Sequence, residues 1–461
     1  MNTISSQLLP HQTQALDFAL NKICSALYLE QGLGKTWVAA GMIEKLINQG
    51  LIVSYDVQIL VICNKSNLIS TWVTTLKKIQ GLDIYLNWPE FKDASGHRVL
   101  IVNYEKMIDR RMPAGIIKGL VSKVQKRTFD LIVYDECHRL KDRGSKHSRV
   151  AARLKSIYKL ALSGTPLEQK PMDLFGQMRF LDKDLLGTFT QFSQEFLRPC
   201  GYMGMEWEMR PTKYKAFKNL ISPHILRMTK KETLNLPVLT IKKVPVLLLG
   251  KQRKIYNELR DEMVADLSRG QVTAPMAMTK ILRLQQVCGG FVPNDDGDVM
   301  TTGEAKLRKL GVLLRRLPSP VVIFCRFLSE VNAVLGSLNG HQRDTGRAWK
   351  IDGSVGEKGR AEILRKFQAG QVDYLVCQIK TGGVGVDLYA ANSAIIYSQT
   401  WSSIDNDQAI SRLHRMMQER PVTIYKLVAV DTVDEDINDA IDYKRDVIKY
   451  VLKGLNKTCL G

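Results

Sequence analysis

Ala26-Leu27-Tyr28-Leu29 followed by Gly32-Leu33-Gly34-Lys35-Thr36 is the stretch on which the reading of this chain turns. An apolar run that ends in a glycine-rich turn and opens a helix is a phosphate cradle. The glycines let backbone N–H groups crowd around phosphate oxygens, and the positive end of the helix beginning at Lys35 faces them. Lys35 reaches the β- and γ-phosphates in such a loop, and the Thr36 hydroxyl holds Mg²⁺, so Gly32, Gly34, Lys35 and Thr36 are the expected ATP contacts. The full pattern asks for glycine at position 29, where this chain has Leu29, so taken alone the stretch also fits a glycine-rich turn before a helix.

A phosphate loop needs a metal-holding acid at the end of a second strand. Leu131-Ile132-Val133-Tyr134-Asp135-Glu136-Cys137-His138 supplies one, about a hundred residues on. The apolar run carries Asp135 to a strand's carboxyl edge, where ligands bind in open α/β sheets. Asp135 then completes the Mg²⁺ site, and Glu136 orients and deprotonates the attacking water. Positive charge for the transition state is offered by Gln408-Ala409-Ile410-Ser411-Arg412-Leu413-His414-Arg415. Arg412 and Arg415 are three apart, which on a helix puts them on one face. A solvated basic face explains a lone pair of arginines equally well.

Short apolar runs recur on either side of these motifs, the pattern of α/β units around parallel sheets. The first series is Ile59–Cys63, Val99–Val102, Asp130–Tyr134 and Tyr158–Leu162; the second is Val321–Cys325, Tyr374–Cys377, Ala394–Tyr397 and Thr423–Val428. The expected fold is α/β with two doubly wound parallel-sheet lobes. Residues 1–182 form the first, ATP-binding lobe and 183–236 a helical insertion and linker. Residues 237–461 form the second lobe, with helices near 250–300 and a closing amphipathic helix from Asp434.

The 461 residues carry 66 Lys+Arg against 46 Asp+Glu, a net charge of +20 that favours a polyanionic partner. The excess is concentrated: Arg210 to Arg260 holds 13 Lys/Arg and two acids. The start lacks a basic region followed by an apolar core, and no apolar run approaches the ~18 residues of a membrane span. No two of the eight cysteines lie closer than 37 residues, so there is no C-x-x-C for zinc or redox chemistry. These features point to a cytoplasmic protein acting on nucleic acid.

Taken together, the motifs resemble those of superfamily 2 nucleic-acid motors, and within them the Swi/Snf-type branch of DNA translocases. Gly32–Thr36 is similar to motif I, Asp135–His138 to the D-E-x-H box, Ser163-Gly164-Thr165-Pro166 to motif III and Gln408–Arg415 to motif VI. The branch is carried by Ile62-Cys63-Asn64-Lys65 through Trp72, by Cys137–Lys141, by Ser163–Glu168, by Ile351–Ser354, by Lys380–Leu388 and by Pro421–Leu427. The resemblance covers nearly the whole chain. It implies two RecA-like lobes with ATP in the cleft and DNA across both.

Residue by residue, the resemblance makes Gln12 the adenine reader. Gly385 and Asp387 become nucleotide contacts, and Gln408, Arg412 and Arg415 catalytic groups. Ser163 and Thr165 become a relay between lobes. Lys65, Ser66, Asn103, Lys141, Lys380, Thr381 and Gly382 become DNA contacts, with Trp401 beside the DNA. Two bland readings stay open: Gln12 as a helix-surface glutamine and Trp401 as a core residue. Met417 replaces a usual glycine after the second arginine.

The motor motifs use almost all of the sequence, so no chromatin-reader module is expected within it. The expected activity is therefore an ATP-dependent DNA motor, acting as a monomer, that remodels or unwinds forked and branched DNA. Such compact forms occur in bacteria and their viruses. The alternative is a duplex translocase that displaces bound proteins without separating strands; an RNA helicase and a regulator with a dead ATPase are further classes. Pro293-Asn294-Asp295 with Glu304-Ala305-Lys306 loosely resembles a metal-dependent nuclease pattern, but it lacks apolar strands to hold its acids. Tyr85, Trp88, Tyr202 and Trp207 are candidates for a strand-separating contact.

Overall fold

The computed structural model describes residues 3–48, 56–108, 110–112, 115–117, 119–124, 126–165, 172–200, 206–268, 274–293, 298–339, 348–382 and 387–452. The chain divides into two compact units, residues 1–235 with 444–461, and residues 236–443.

The first unit is built on a seven-stranded, all-parallel sheet in the order Ile225–Met228, Cys24–Leu29, Lys155–Leu162, Thr128–Tyr134, Gln58–Cys63, Arg98–Asn103, Asp83–Tyr85. Its strands read as unbroken apolar runs because both faces are covered. Leu27, Ile59, Val61, Val99, Ile101, Leu131 and Val133 point to one face. There they pack with Ala15 and Leu16 of helix Pro10–Leu20 and with Val38 and Met42 of helix Lys35–Asn48. Tyr28, Leu60, Ile62, Leu100, Val102, Ile132 and Tyr134 point to the other, against Leu174, Phe175 and Met178 of helix Asp173–Leu181. The two-residue period of a strand sorts one continuous run into two cores.

Residues 183–236, expected as helices and linker, supply more than that. Helices Phe189–Phe196 and Tyr214–Ile221 are present, and Phe192, Phe196, Phe217 and Ile221 are buried in the same core as Phe175. The segment also contributes the hairpin Leu197–Cys200 with Glu206–Met209, and strand Ile225–Met228, which pairs with Cys24–Leu29 at the edge of the sheet. That strand is four residues long and interrupted by Arg227, so its apolar signal is too short to separate from a helix.

The second unit holds a six-stranded parallel sheet in the order Leu239–Val246, Val422–Ala429, Ser393–Ile396, Val321–Cys325, Tyr374–Gln378, Ala348–Ile351. Val322, Phe324, Leu375, Cys377 and Ile396 meet Ile363 and Phe367 of helix Glu357–Gln368 on one face. Val321, Ile323, Val376 and Ile395 meet Leu310 and Val331 on the other. Strand Leu239–Val246 was not among the expected runs. It carries Lys242, Lys243 and Pro245, residues that suit an edge strand and mask the apolar pattern. The closing helix spans Val433–Leu452, with Val433, Ile437 and Ile441 buried against Leu248 and Tyr256. Among the described residues, no helix is long and apolar enough to cross a membrane.

Candidate nucleotide and DNA site

The carboxyl edge of the first sheet gathers one group of motifs. Strand Cys24–Leu29 delivers the glycine loop, and the helix starts at Lys35. Gly32 and Gly34 sit at φ of 90° and 81°, the left-handed region that side chains resist, so both are required by the turn. Leu29, standing where the motif prefers glycine, is the last strand residue and is fully buried. Its carbonyl accepts from Lys35 Nζ at 3.1 Å. Gly164 of the Ser163-Gly164-Thr165 turn lies against the loop: a Cβ there would fall 3.1 Å from Lys35 Nζ and 2.7 Å from the Gln31 side chain.

Gln12 is buried rather than exposed on its helix. Its Nε2 donates to the Leu33 carbonyl at 3.2 Å, its Oε1 accepts from Leu9 N–H at 3.0 Å, and a Cβ on Gly34 would strike Nε2. The side chain therefore lies directly on the phosphate loop.

Asp135 follows strand Thr128–Tyr134 and is 5% exposed. Its Oδ2 accepts from the buried Trp72 indole N–H at 3.0 Å and its Oδ1 from Glu136 N–H at 3.0 Å; Tyr104 Oη donates to its carbonyl. Burial, and then the adjoining Glu136 charge, raise the Asp135 carboxyl to about 6. A carboxylate offers about four lone-pair sites, and here two hydrogen bonds are made to it. A buried acid with spare lone pairs and a raised pKa suits a hard cation that is shared with phosphate oxygens, as Mg²⁺ is. Thr36, the second helical residue, is the other group that would hold it.

Glu136 takes a left-handed backbone, φ 49°, a strained conformation of the kind that concentrates at working sites. Its Oε2 lies 3.2 Å from His138 Nδ1, which lies 3.3 Å from Ser163 Oγ, which accepts from Thr165 N–H at 3.1 Å. The D-E-x-H box and the Ser163–Thr165 turn are thus one polar chain. Sequence reading did not assign the Trp72 and Tyr104 contacts to Asp135. Trp72 stood out as a family marker only, and nothing in the sequence pairs either residue with position 135.

Further along the same edge, Lys65 follows strand Gln58–Cys63 and Asn103 ends strand Arg98–Asn103. Both line a cleft of about 670 Å³ with Asn87, Lys106 and Lys123. The Asn87 and Asn103 carbonyls cap their own helical turns, accepting from Glu90 N–H and Lys106 N–H, and their amide N–H₂ groups remain as donors. Ser66 lies in the short helix with Lys65. Lys141 is away from the cleft, half-buried at the end of the turn Cys137–Leu140.

In the second unit, Lys380, Thr381 and Gly382 form a single helical turn after strand Tyr374–Gln378, and Gly385 lies outside the described residues. Trp401 is half-buried against the cluster of Leu248, Tyr256 and Leu284. Gln408 lies on helix Ser403–Ser411. The arginines do not share a helical face as expected: that helix ends at Ser411, Arg412 is its C-cap, and Arg415 lies in the turn beyond. Arg415 is ion-paired with Asp387, and burial lowers its pKa. The Arg412 carbonyl accepts from Leu388 N–H at 3.0 Å. The turn is held by buried Gln418, whose Nε2 donates to the Tyr389 and Ala391 carbonyls at 3.0 and 2.8 Å; Met417, in the usual glycine's place, points outward at 63% exposure.

The SNF2-related domain matches residues 11–290 and the helicase conserved C-terminal domain matches residues 305–417. The chain belongs to the SNF2-related family. It is 26% identical over 387 residues to an uncharacterized ATP-dependent helicase of Mycoplasma genitalium, covering 80% of this chain and 36% of that one. It is also 26% identical over 341 residues to the putative ATP-dependent helicase/translocase YwqA of Bacillus subtilis, covering 71% and 36%. To the chromatin structure-remodeling complex subunit snf21 of Schizosaccharomyces pombe it is 24% identical over 488 residues, covering 96% and 39%. This SNF2-related chain therefore spans about two-fifths or less of the length of these curated relatives. Among solved structures it is similar to the Sulfolobus solfataricus SWI2/SNF2 ATPase core in complex with dsDNA, at 23% identity and a TM-score of 0.44, covering 98% of this chain and 94% of that one.

Proposed function

We propose that this chain is an ATP-driven translocase on double-stranded DNA. The observation that carries the reading is the polar chain Glu136–His138–Ser163–Thr165 set beside the Lys35 loop. In this reading Glu136 is the general base, Lys35 the phosphate-binding ammonium and the Ser163–Thr165 turn the element beside both, all within one unit. The relatives named as helicase and helicase/translocase support the same class of activity.

In the proposed reaction the loop N–H groups and Lys35 bind the phosphates of ATP, and Gln12 meets the adenine. Asp135 and Thr36 would hold Mg²⁺, which would supply positive charge to the phosphates. Glu136 orients the attacking water and takes its proton, and His138 fixes the Glu136 carboxylate. Arg412 and Arg415 supply the charge that the transition state needs. The donors of the Lys65–Asn103 cleft hold the phosphodiester backbone, which carries no sequence code.

Of the two substrate readings, plain duplex translocation gains from the aromatic residues. Trp88 is buried, and Trp207 and Tyr85 are half-buried against the first unit's core, which favours packing roles for them; Tyr202 lies outside the described residues. Displacement of a triplex-forming strand from linear duplex, run beside forked and four-way DNA, is the test. ATP-dependent triplex displacement without junction movement supports the translocase. Junction movement without triplex displacement replaces it with the branch-processing reading.

A further inference from the structure

We propose that Glu44 is a positioning residue that sets Gln12 on the phosphate loop and thereby determines the preference for adenine nucleotides. The inference rests on the proposed role of Gln12 as the adenine contact.

Glu44 lies on the helix that begins at Lys35, nine residues beyond it, and is 5% exposed. A carboxylate there needs a reason, because burying an acid is costly unless it is hydrogen-bonded. Its partners all lie forty residues upstream. Oε1 accepts from Ile4 N–H at 2.8 Å, and Oε2 accepts from Ser5 N–H at 2.8 Å and from Ser5 Oγ at 2.5 Å. Hydrogen bonds to an ionised acceptor are the strong ones. Ile4 is itself buried in the core beneath this helix.

The segment so held runs straight into the helix Pro10–Leu20, which carries Gln12. It is fixed at three points along the Lys35–Asn48 helix. Glu44 holds Ile4 and Ser5. Gly41 admits Leu8 and Leu16, each of which would stand 3.3 Å from a Cβ at that position. At the loop end, His11 Nε2 and Gln12 Nε2 each lie 3.2 Å from the Leu33 carbonyl. The first anchor is a set of charge-assisted hydrogen bonds and the second apolar contact; the third is the site. With Glu44 in place, Gln12 and Lys35 move as parts of one body, so a base held by Gln12 is in register with phosphates held by Lys35.

The experiment compares kcat/KM for ATP and for GTP, with saturating duplex DNA, in the wild type and in Gln12→Ala, Glu44→Leu and the double variant. The ratio of the two constants does not depend on the folded fraction of a preparation. Gln12→Ala should lower the ATP-over-GTP ratio roughly fivefold, the factor one ordinary hydrogen bond carries. Glu44→Leu should lower it in the same direction by at least about threefold, and the double variant should fall no lower than Gln12→Ala, because both act on one contact. Glu44→Gln keeps the volume and one acceptor oxygen, and should give a smaller loss; it is the variant to use if Glu44→Leu does not fold. A normal ratio in Glu44→Leu or Glu44→Gln, or multiplying losses in the double variant, overturns the inference while the Gln12 reading stands. A normal ratio in Gln12→Ala overturns the adenine reading and the inference with it.

Discussion

Replacing Lys306 with Met should destabilise the second unit more than any surface change could. Lys306 is the second residue of the helix Ala305–Leu314, with its side chain fully buried. Its Nζ lies 2.6 Å from Asp434 Oδ2 and donates to the Tyr397 carbonyl at 2.9 Å. Asp434 is 5% exposed in the first turn of helix Val433–Leu452 and also accepts from Ala429 N–H at 3.2 Å. Removing the ammonium strands a buried carboxylate, and breaking such a pair costs about 3–5 kcal/mol. At ~2–4 °C per kcal/mol for a unit of this size, the calorimetric transition of the second unit should fall by ~6–20 °C, with that of the first unit unmoved. Lys306→Met/Asp434→Leu fills the space with apolar groups and should recover most of the loss. Burial lowers the Lys306 pKa, but the Asp434 charge outweighs it and the net shift is upward. The pair's contribution is therefore complete below the pKa of a free lysine and fades as pH rises through the folded value. A single variant within ~0.5 kcal/mol of wild type, the range of ordinary surface changes, or a double variant no better than the single, would refute the reasoning.

Two further outcomes concern the proposed motor. Arg415→Ala should cut kcat for ATP by ~10³-fold with little change in nucleotide affinity, as for other arginine fingers; a raised KM at unchanged kcat would make it a binding residue. Replacing the exposed Lys215 and Lys231 with Ala should shrink the slope of log K for duplex DNA against log[salt] by up to ~0.9 for each lost phosphate contact, without altering sequence preference. An unchanged slope would make these lysines a solvated face. Lys230 does not belong in that set, since it is buried and its N–H donates to Glu30 at 2.8 Å.

Much of this architecture was legible because a parallel strand covered on both faces must be a continuous apolar run. Ile59–Cys63, Asp130–Tyr134 and Val321–Cys325 all lie within the strands observed. The edges were not. Ile225–Met228 is too short, and Leu239–Val246 carries the charges and proline that protect an unpaired edge. In the site, residues fixed by local geometry could be read: glycines at positive φ, a lysine at a helix start, an acid after a strand. Contacts made at long range could not. Trp72 and Asp135 are 63 residues apart, and Glu44 and Ile4 are 40 apart, with no pattern linking either pair. The three-residue spacing of Arg412 and Arg415 misled, because spacing implies a shared face only while the helix continues.

The central claim is that Glu136, set beside the Lys35 loop, drives ATP hydrolysis in response to DNA. The most direct measurement is the steady-state rate of ATP hydrolysis by wild type and Glu136→Gln, with and without saturating linear duplex DNA. Stimulation by DNA in the wild type, and loss of turnover in a variant that still binds ATP, is the result expected. Turnover by Glu136→Gln at the wild-type rate, or a wild-type rate indifferent to DNA, would contradict it.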